Sequence, residues 1–171
     1  FSLLMKYVLE KNQLQIIYEV ANLDDQPIYF SLGAHPAFNV PLKKNEKRSD
    51  YSLEFEKVEK VKTLEITDGF LDGNSRDVFK GKNTIQISDD LFEKDALVFK
   101  NLESNFLHLK NSAGEKVWTF TFEGIPYLGI WSQHEASPFV CIEPWFGVAD
   151  HENATGVFKE KDGIITLPFQ E

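Results

Sequence analysis

The sequence predicts an all-β protein, a large antiparallel β-sandwich, and three observations carry that expectation. Its 171 residues include 15 Phe, 5 Tyr and 3 Trp, side chains suited to the pleated, half-buried surface of a sheet. Two apolar runs, Leu3 to Leu9 and Leu14 to Asn22, flank the polar stretch Glu10-Lys11-Asn12-Gln13, which is the pattern of a β-hairpin. Lys116 to Glu123 separates into Trp118, Phe120 and Phe122 against Val117, Thr119, Thr121 and Glu123, the period-2 signature of a sheet with one packed side. No segment reads as a long helix.

The elements follow in order. In the second arm of the hairpin, Leu14, Ile16, Tyr18 and Val20 share a face. Asp24-Asp25-Gln26-Pro27 is a turn, because Asp side chains compete for backbone donors and Pro presets φ. Ile28 to Ala34 is a strand that delivers His35, and Pro36 stops it. Lys43 to Asp50 is a charged loop. Tyr51 to Val58 alternates through Leu53 and Phe55, and Lys60 to Thr67 is a further strand. Asp68-Gly69, Asp72-Gly73 and Gly81-Lys82-Asn83 punctuate a loop-rich middle with one short strand at Ile85 and Ile87. Asp89 to Lys94 is one helical turn or an irregular link before strands at Ala96 to Lys100 and Asn105 to Lys110. Leu128 to Ser132 and Phe139 to Glu143 are short strands joined by Gln133 to Pro138, and Gly163 to Phe169 closes the chain. Residues 1–171 are expected to form a single β-sandwich domain.

Composition narrows the function classes. A formal charge of −9 and a densest basic run confined to Lys43 to Arg48 argue against nucleic acid or an anionic membrane as partner, since either needs a basic patch. Cys141 is the only cysteine, so no intramolecular disulfide or thiolate cluster is available, and a reducing cytoplasm is the expected compartment. Its neighbours Val140 and Ile142 predict a buried, inert thiol. No apolar run reaches the length that spans a bilayer. The start at Phe1, inside an apolar strand, reads as a piece of a longer protein.

Two residues stand out chemically. His35 lies in Phe30-Ser31-Leu32-Gly33-Ala34-His35-Pro36-Ala37-Phe38-Asn39, at a predicted strand end before a proline. Glu143 ends the apolar strand Phe139-Val140-Cys141-Ile142-Glu143, and Pro144 is expected to break the ladder after it. A carboxylate there is expensive unless it is paired or working. The pair fits two proton-transfer groups meeting at one mouth of a sandwich, and equally two ordinary edge residues. Asp150-His151-Glu152 lacks the further spaced ligands a metal site needs, and no cofactor or metal is expected. His108 reads as a surface residue, His134 and His151 as residues of polar loops.

The segments Gly33-Ala34-His35-Pro36-Ala37-Phe38-Asn39 and Cys141-Ile142-Glu143-Pro144-Trp145 resemble the two signature segments of the galactose mutarotase-like, or aldose 1-epimerase, family, and especially its LacX-type branch. Leu91-Phe92-Glu93-Lys94-Asp95-Ala96-Leu97-Val98-Phe99 resembles that branch between them. The resemblance implies the family's supersandwich and a cofactor-independent isomerase that interconverts the α and β anomers of an aldose. It matches His35 to the general acid and Glu143 to the general base, and it makes Asp95 an acceptor for a sugar hydroxyl. Trp131 and Trp145 offer apolar faces for the sugar ring. Members of the family are longer than this chain, and their upstream part brings an Arg and a second His with no matching positions here. Trp145 also stands where better-known mutarotases have a polar residue. A non-catalytic carbohydrate-binding or structural sandwich is the alternative. A retaining glycosidase built on Asp95 and Glu143 would need its carboxylates about 5 Å apart.

Overall fold

Two antiparallel sheets stack face to face around an aromatic and aliphatic core, in a computed structural model that describes residues 1–133 and 137–169. The four-stranded sheet runs in the order β11-β10-β5-β8, from β5 (Ser52–Phe55), β8 (Thr84–Gln86), β10 (Phe106–Lys110) and β11 (Lys116–Thr121). The six-stranded sheet runs β4-β13-β12-β9-β6-β7, from β4 (Ala37–Asn39), β6 (Thr63–Thr67), β7 (Phe70–Arg76), β9 (Leu97–Lys100), β12 (Tyr127–Trp131) and β13 (Phe139–Trp145). A hairpin of β1 (Ser2–Glu10) and β2 (Gln13–Ala21) and a small pair of β3 (Ile28–Phe30) with β14 (Ile165–Leu167) complete the pattern. The all-β expectation therefore holds. Three short 3-10 turns, at Arg48–Asp50, Asp89–Phe92 and Phe158–Glu160, are the helical elements among the described residues. None is long and apolar enough to cross a membrane.

Strand alternation decides which residues reach the core. Leu53 and Phe55 of β5 and Leu107 and Leu109 of β10 point inward from one sheet, and Leu97, Phe99, Leu128, Ile130, Val140 and Ile142 meet them from the other. Phe79 joins Phe55 and Phe99 across the gap, with ring centroids 5.0 and 5.2 Å away. The other face of the six-stranded sheet carries Val98, Tyr127, Trp131, Cys141, Glu143 and Trp145. Part of it is a second apolar cluster in which Leu71, Ala96, Val98, Tyr127 and Val148 are buried.

Several boundaries differ from the sequence expectation. The strand before His35 ends at Phe30, and a strand absent from the sequence reading, β4, begins just after Pro36. Pro144 does not break β13, which continues to Trp145 with Pro144 opposite Leu128. The strand tolerates it because even-numbered residues of β13 and Phe146 just after it bond outward to the 32–36 segment: Ile142 donates to Pro36, Phe146 donates to Leu32, and Pro144 accepts from Ala34. At an irregular edge a missing N–H costs little. β7 replaces what reads as loop. Asp68 and Gly69 take φ values of 50° and 85°, the two-residue hairpin geometry that an Asp-Gly pair favours, with Thr67 opposite Phe70. β11, the most regular alternation in the sequence, is an edge strand with a bulge near Leu109, and Trp118 is 47% exposed. The link at 133–138, with His134, falls partly outside the described residues.

Candidate active site

His35 and Glu143 face each other across neighbouring backbone segments. β4 pairs with β13 through Asn39 and Phe139, Phe38 and Val140, and Ala37 and Cys141. An isolated bridge pairs Gly33 with Trp145 in the same register. His35 lies midway between these contacts and so falls opposite Glu143, with its Nε2 3.3 Å from the glutamate Oε1. The two are unequal in exposure: the His35 side chain is 60% accessible and that of Glu143 is 2%.

That asymmetry sets the electrostatics. Burial pushes the Glu143 carboxyl above the usual carboxylate range, and the neighbouring His35 and a hydrogen bond from the Trp145 indole pull it back in part. The result is a carboxylate with unusually high proton affinity in contact with an imidazole that reaches solvent. Cys141, two residues before Glu143 on the same face, is buried, and its thiol is pushed up to about 11, first by burial and then by the Glu143 charge. The thiol is therefore protonated and a poor nucleophile.

Two glycines shape the aromatic floor. Gly129 sits opposite Glu143 on β12, and a Cβ there would overlap the six-membered ring of Trp145. A Cβ on Gly33 would come within 2.8 Å of the same indole at Cδ1. The indole thus lies against bare backbone on both sides, which brings its N–H to Glu143. Trp131 meets His35 edge-on, with ring centroids 5.8 Å apart at 81°. Beside Trp145, a depression of about 330 Å³ is lined by Ser31, Leu32, Gly33, Gly147, Val148 and Ala149, at the small end of ligand-pocket size.

The sequence-predicted site residues divide. His35, Glu143, Trp131 and Trp145 converge on one face. Asp95 stands just before β9, and β12 separates that strand from β13. It is exposed with φ 70°, its Oδ1 accepts the Ala96 amide at 2.7 Å, and it borders a different depression with Glu65, Thr67 and Lys94. Sequence reasoning passed over Gly33 and Gly129, although a glycine inside an apolar strand signals close approach by another group. Of the remaining histidines, His108 pairs with Thr119 at 2.9 Å and is pulled below the usual range, chiefly by burial. His151 lies 3.7 Å from Asp162, which also takes Lys100 at 3.0 Å.

Known proteins share this arrangement of sheets. The chain is 32% identical over 172 residues to the chromosomal LacX protein of Lactococcus lactis subsp. lactis, a match covering 98% of this chain and 57% of that protein. It superposes on a galactose mutarotase related enzyme from Lactobacillus acidophilus with a TM-score of 0.87 at 30% identity, over 99% of this chain and 57% of that one. A galactose mutarotase-like protein from Lactobacillus casei gives 0.86 at 29% identity, over 99% and 59%. The chain thus spans less than three-fifths of the length of these relatives. The aldose 1-epimerase family model matches residues 1–161, and the chain belongs to the aldose 1-epimerase family.

Proposed function

We propose that this chain carries the proton-transfer pair of an enzyme that interconverts the α and β anomers of a hexose. The observation that carries the reading is the 3.3 Å approach of His35 Nε2 to Glu143 Oε1 on the face of the sheet turned away from the sandwich core. Mutarotation needs a base for the proton of the anomeric hydroxyl and an acid for the ring oxygen. Both oxygens sit on one carbon, so acid and base must lie within a few ångströms of each other.

In the forward sense the Glu143 carboxylate takes the hydroxyl proton while the His35 imidazolium protonates the ring oxygen. The carbon–oxygen ring bond breaks and an open-chain aldehyde forms. Rotation about the bond between the first two carbons presents the other carbonyl face. Ring closure then reverses both transfers, His35 removing the proton and Glu143 returning one. The raised proton affinity of Glu143 suits this work, because a carboxylate that must both take and give a proton gains when its affinity moves towards working pH. Trp145 and Trp131 supply apolar faces for the ring.

The test is polarimetry of freshly dissolved α-D-glucose and α-D-galactose with the purified chain and with His35→Ala and Glu143→Gln. The expected outcome is acceleration above the spontaneous rate, reduced about 10²- to 10⁴-fold in either variant. A second reading, sugar binding without turnover, is favoured by the chain's coverage of only 57% of its relative. Saturable galactose binding with no acceleration by the folded parent chain would select it.

A further inference from the structure

We propose that His35, Cys141 and Glu143 together form a binding site for a borderline-soft divalent cation of the zinc type. The cation would be held by one imidazole nitrogen, one thiolate and one carboxylate, with a fourth position open to solvent. This goes beyond anomer interconversion and does not depend on it.

The three donor atoms lie within 4.8 Å of one another. Ligands of a tetrahedral zinc ion, at about 2.0–2.3 Å from the metal, stand about 3.3–3.7 Å from each other. The Nε2 to Oε1 separation of 3.3 Å is already such an edge, and the sulfur has at most about 1 Å to close. The sheet itself generates the triangle. Cys141 and Glu143 are alternate residues of β13 and share a face, while His35 stands opposite Glu143. Ala37, the residue opposite Cys141, is small.

Charge balance favours the occupant. A carboxylate that is 2% exposed carries a desolvation cost, which a bound cation offsets. One thiolate, one carboxylate and a neutral imidazole neutralise a divalent ion. The Trp145 indole on Glu143 and the edge of Trp131 against His35 hold two of the ligands in place, as supporting groups around a metal do. The exposed imidazole leaves a route in. Because the metal would occupy the lone pairs that proton transfer uses, cation and sugar turnover exclude each other.

The experiment is a titration of the full 171-residue chain with Co²⁺, followed by the thiolate-to-cobalt charge-transfer band in the near ultraviolet. Cys141 is the only cysteine, so the band has a single source. A saturable band at one cobalt per chain, displaced by Zn²⁺, lost in Cys141→Ser and weakened at least about tenfold in affinity in His35→Ala and Glu143→Gln, is the expected result. Absence of the band in folded protein overturns the site, as does a band of unchanged affinity in His35→Ala. That variant truncates an exposed side chain and decides the matter even if Cys141→Ser fails to fold. Polarimetry does not enter this readout, so failure of the sugar reading and failure of the metal site are distinguishable.

Discussion

At the scale of the residue, Glu143 is a buried carboxyl on the candidate site's face. Its carboxyl is pushed up by burial, against the pull of His35 and Trp145. Well below the ordinary carboxylate range, the folded and unfolded chains both hold the proton and the residue is neutral towards pH. As pH rises through that range the unfolded chain releases its proton first, so stability falls until the folded group has ionised too. Glu143→Gln removes that penalty. The variant is expected to melt above the parent at pH 8, with the difference vanishing near pH 4. Thermal unfolding at the two pH values checks it, and a lower melting temperature for the variant at pH 8 but not near pH 4 would show that the charge stabilises the fold. Residue identity made both His35 and Glu143 legible in the sequence, since each is a polar group inside an apolar run next to a proline. Their distance was not legible, because it depends on a register between segments more than a hundred residues apart.

At the scale of the element, β12 and β13 act as a cradle for one indole. Gly129→Ala places a methyl group where the Trp145 ring lies, and overpacking of this kind costs about 1–3 kcal/mol. The expected result is a loss of that size in urea unfolding, with a shift in tryptophan emission as the indole leaves the glycine. The same variant loosens the Trp145 hydrogen bond to Glu143, and under the proposed function it is expected to slow anomer interconversion with His35 and Glu143 both unchanged. Unchanged stability would mean that the indole does not need bare backbone at this point. The course of β13 through Pro144 follows the same logic: which edge a proline's nitrogen faces decides whether it interrupts a strand, and one strand's sequence does not contain its neighbours. The Asp68-Gly69 hairpin is the opposite case, a local signal with a local cause.

At the scale of the molecule, stability is distributed unevenly. The inner strands β9, β12 and β13 are paired on both sides and contribute fully buried Leu97, Phe99, Leu128, Ile130 and Val140. The hairpin of β1 and β2 pairs only with itself among the described residues. It exposes Leu3, Leu4, Met5, Tyr7, Leu9, Leu14, Ile16 and Ile17. Its base is tied down where the Asn22 amide donates to the carbonyls of Gln26, Leu167 and Pro168 at 2.8–3.1 Å. A two-stranded sheet without a packed face is marginal in water. Hydrogen exchange is therefore expected to be fastest for β1 and β2 amides and slowest for β9 and β12. Protection of the hairpin equal to that of β12 would show that its apolar faces are covered in solution.

The sequence by itself determined the all-β class, most strand positions and the identity of the two titratable residues. These follow from period-2 alternation, turn chemistry and the cost of placing charge among apolar neighbours, all of which act within a few residues. Only the tertiary structure decided that His35 stands opposite Glu143, that Asp95 stands apart, that Cys141 joins the pair and that two glycines seat Trp145. Those facts are set by strand order and register in a sheet whose neighbours are distant in sequence, and no local pattern encodes them.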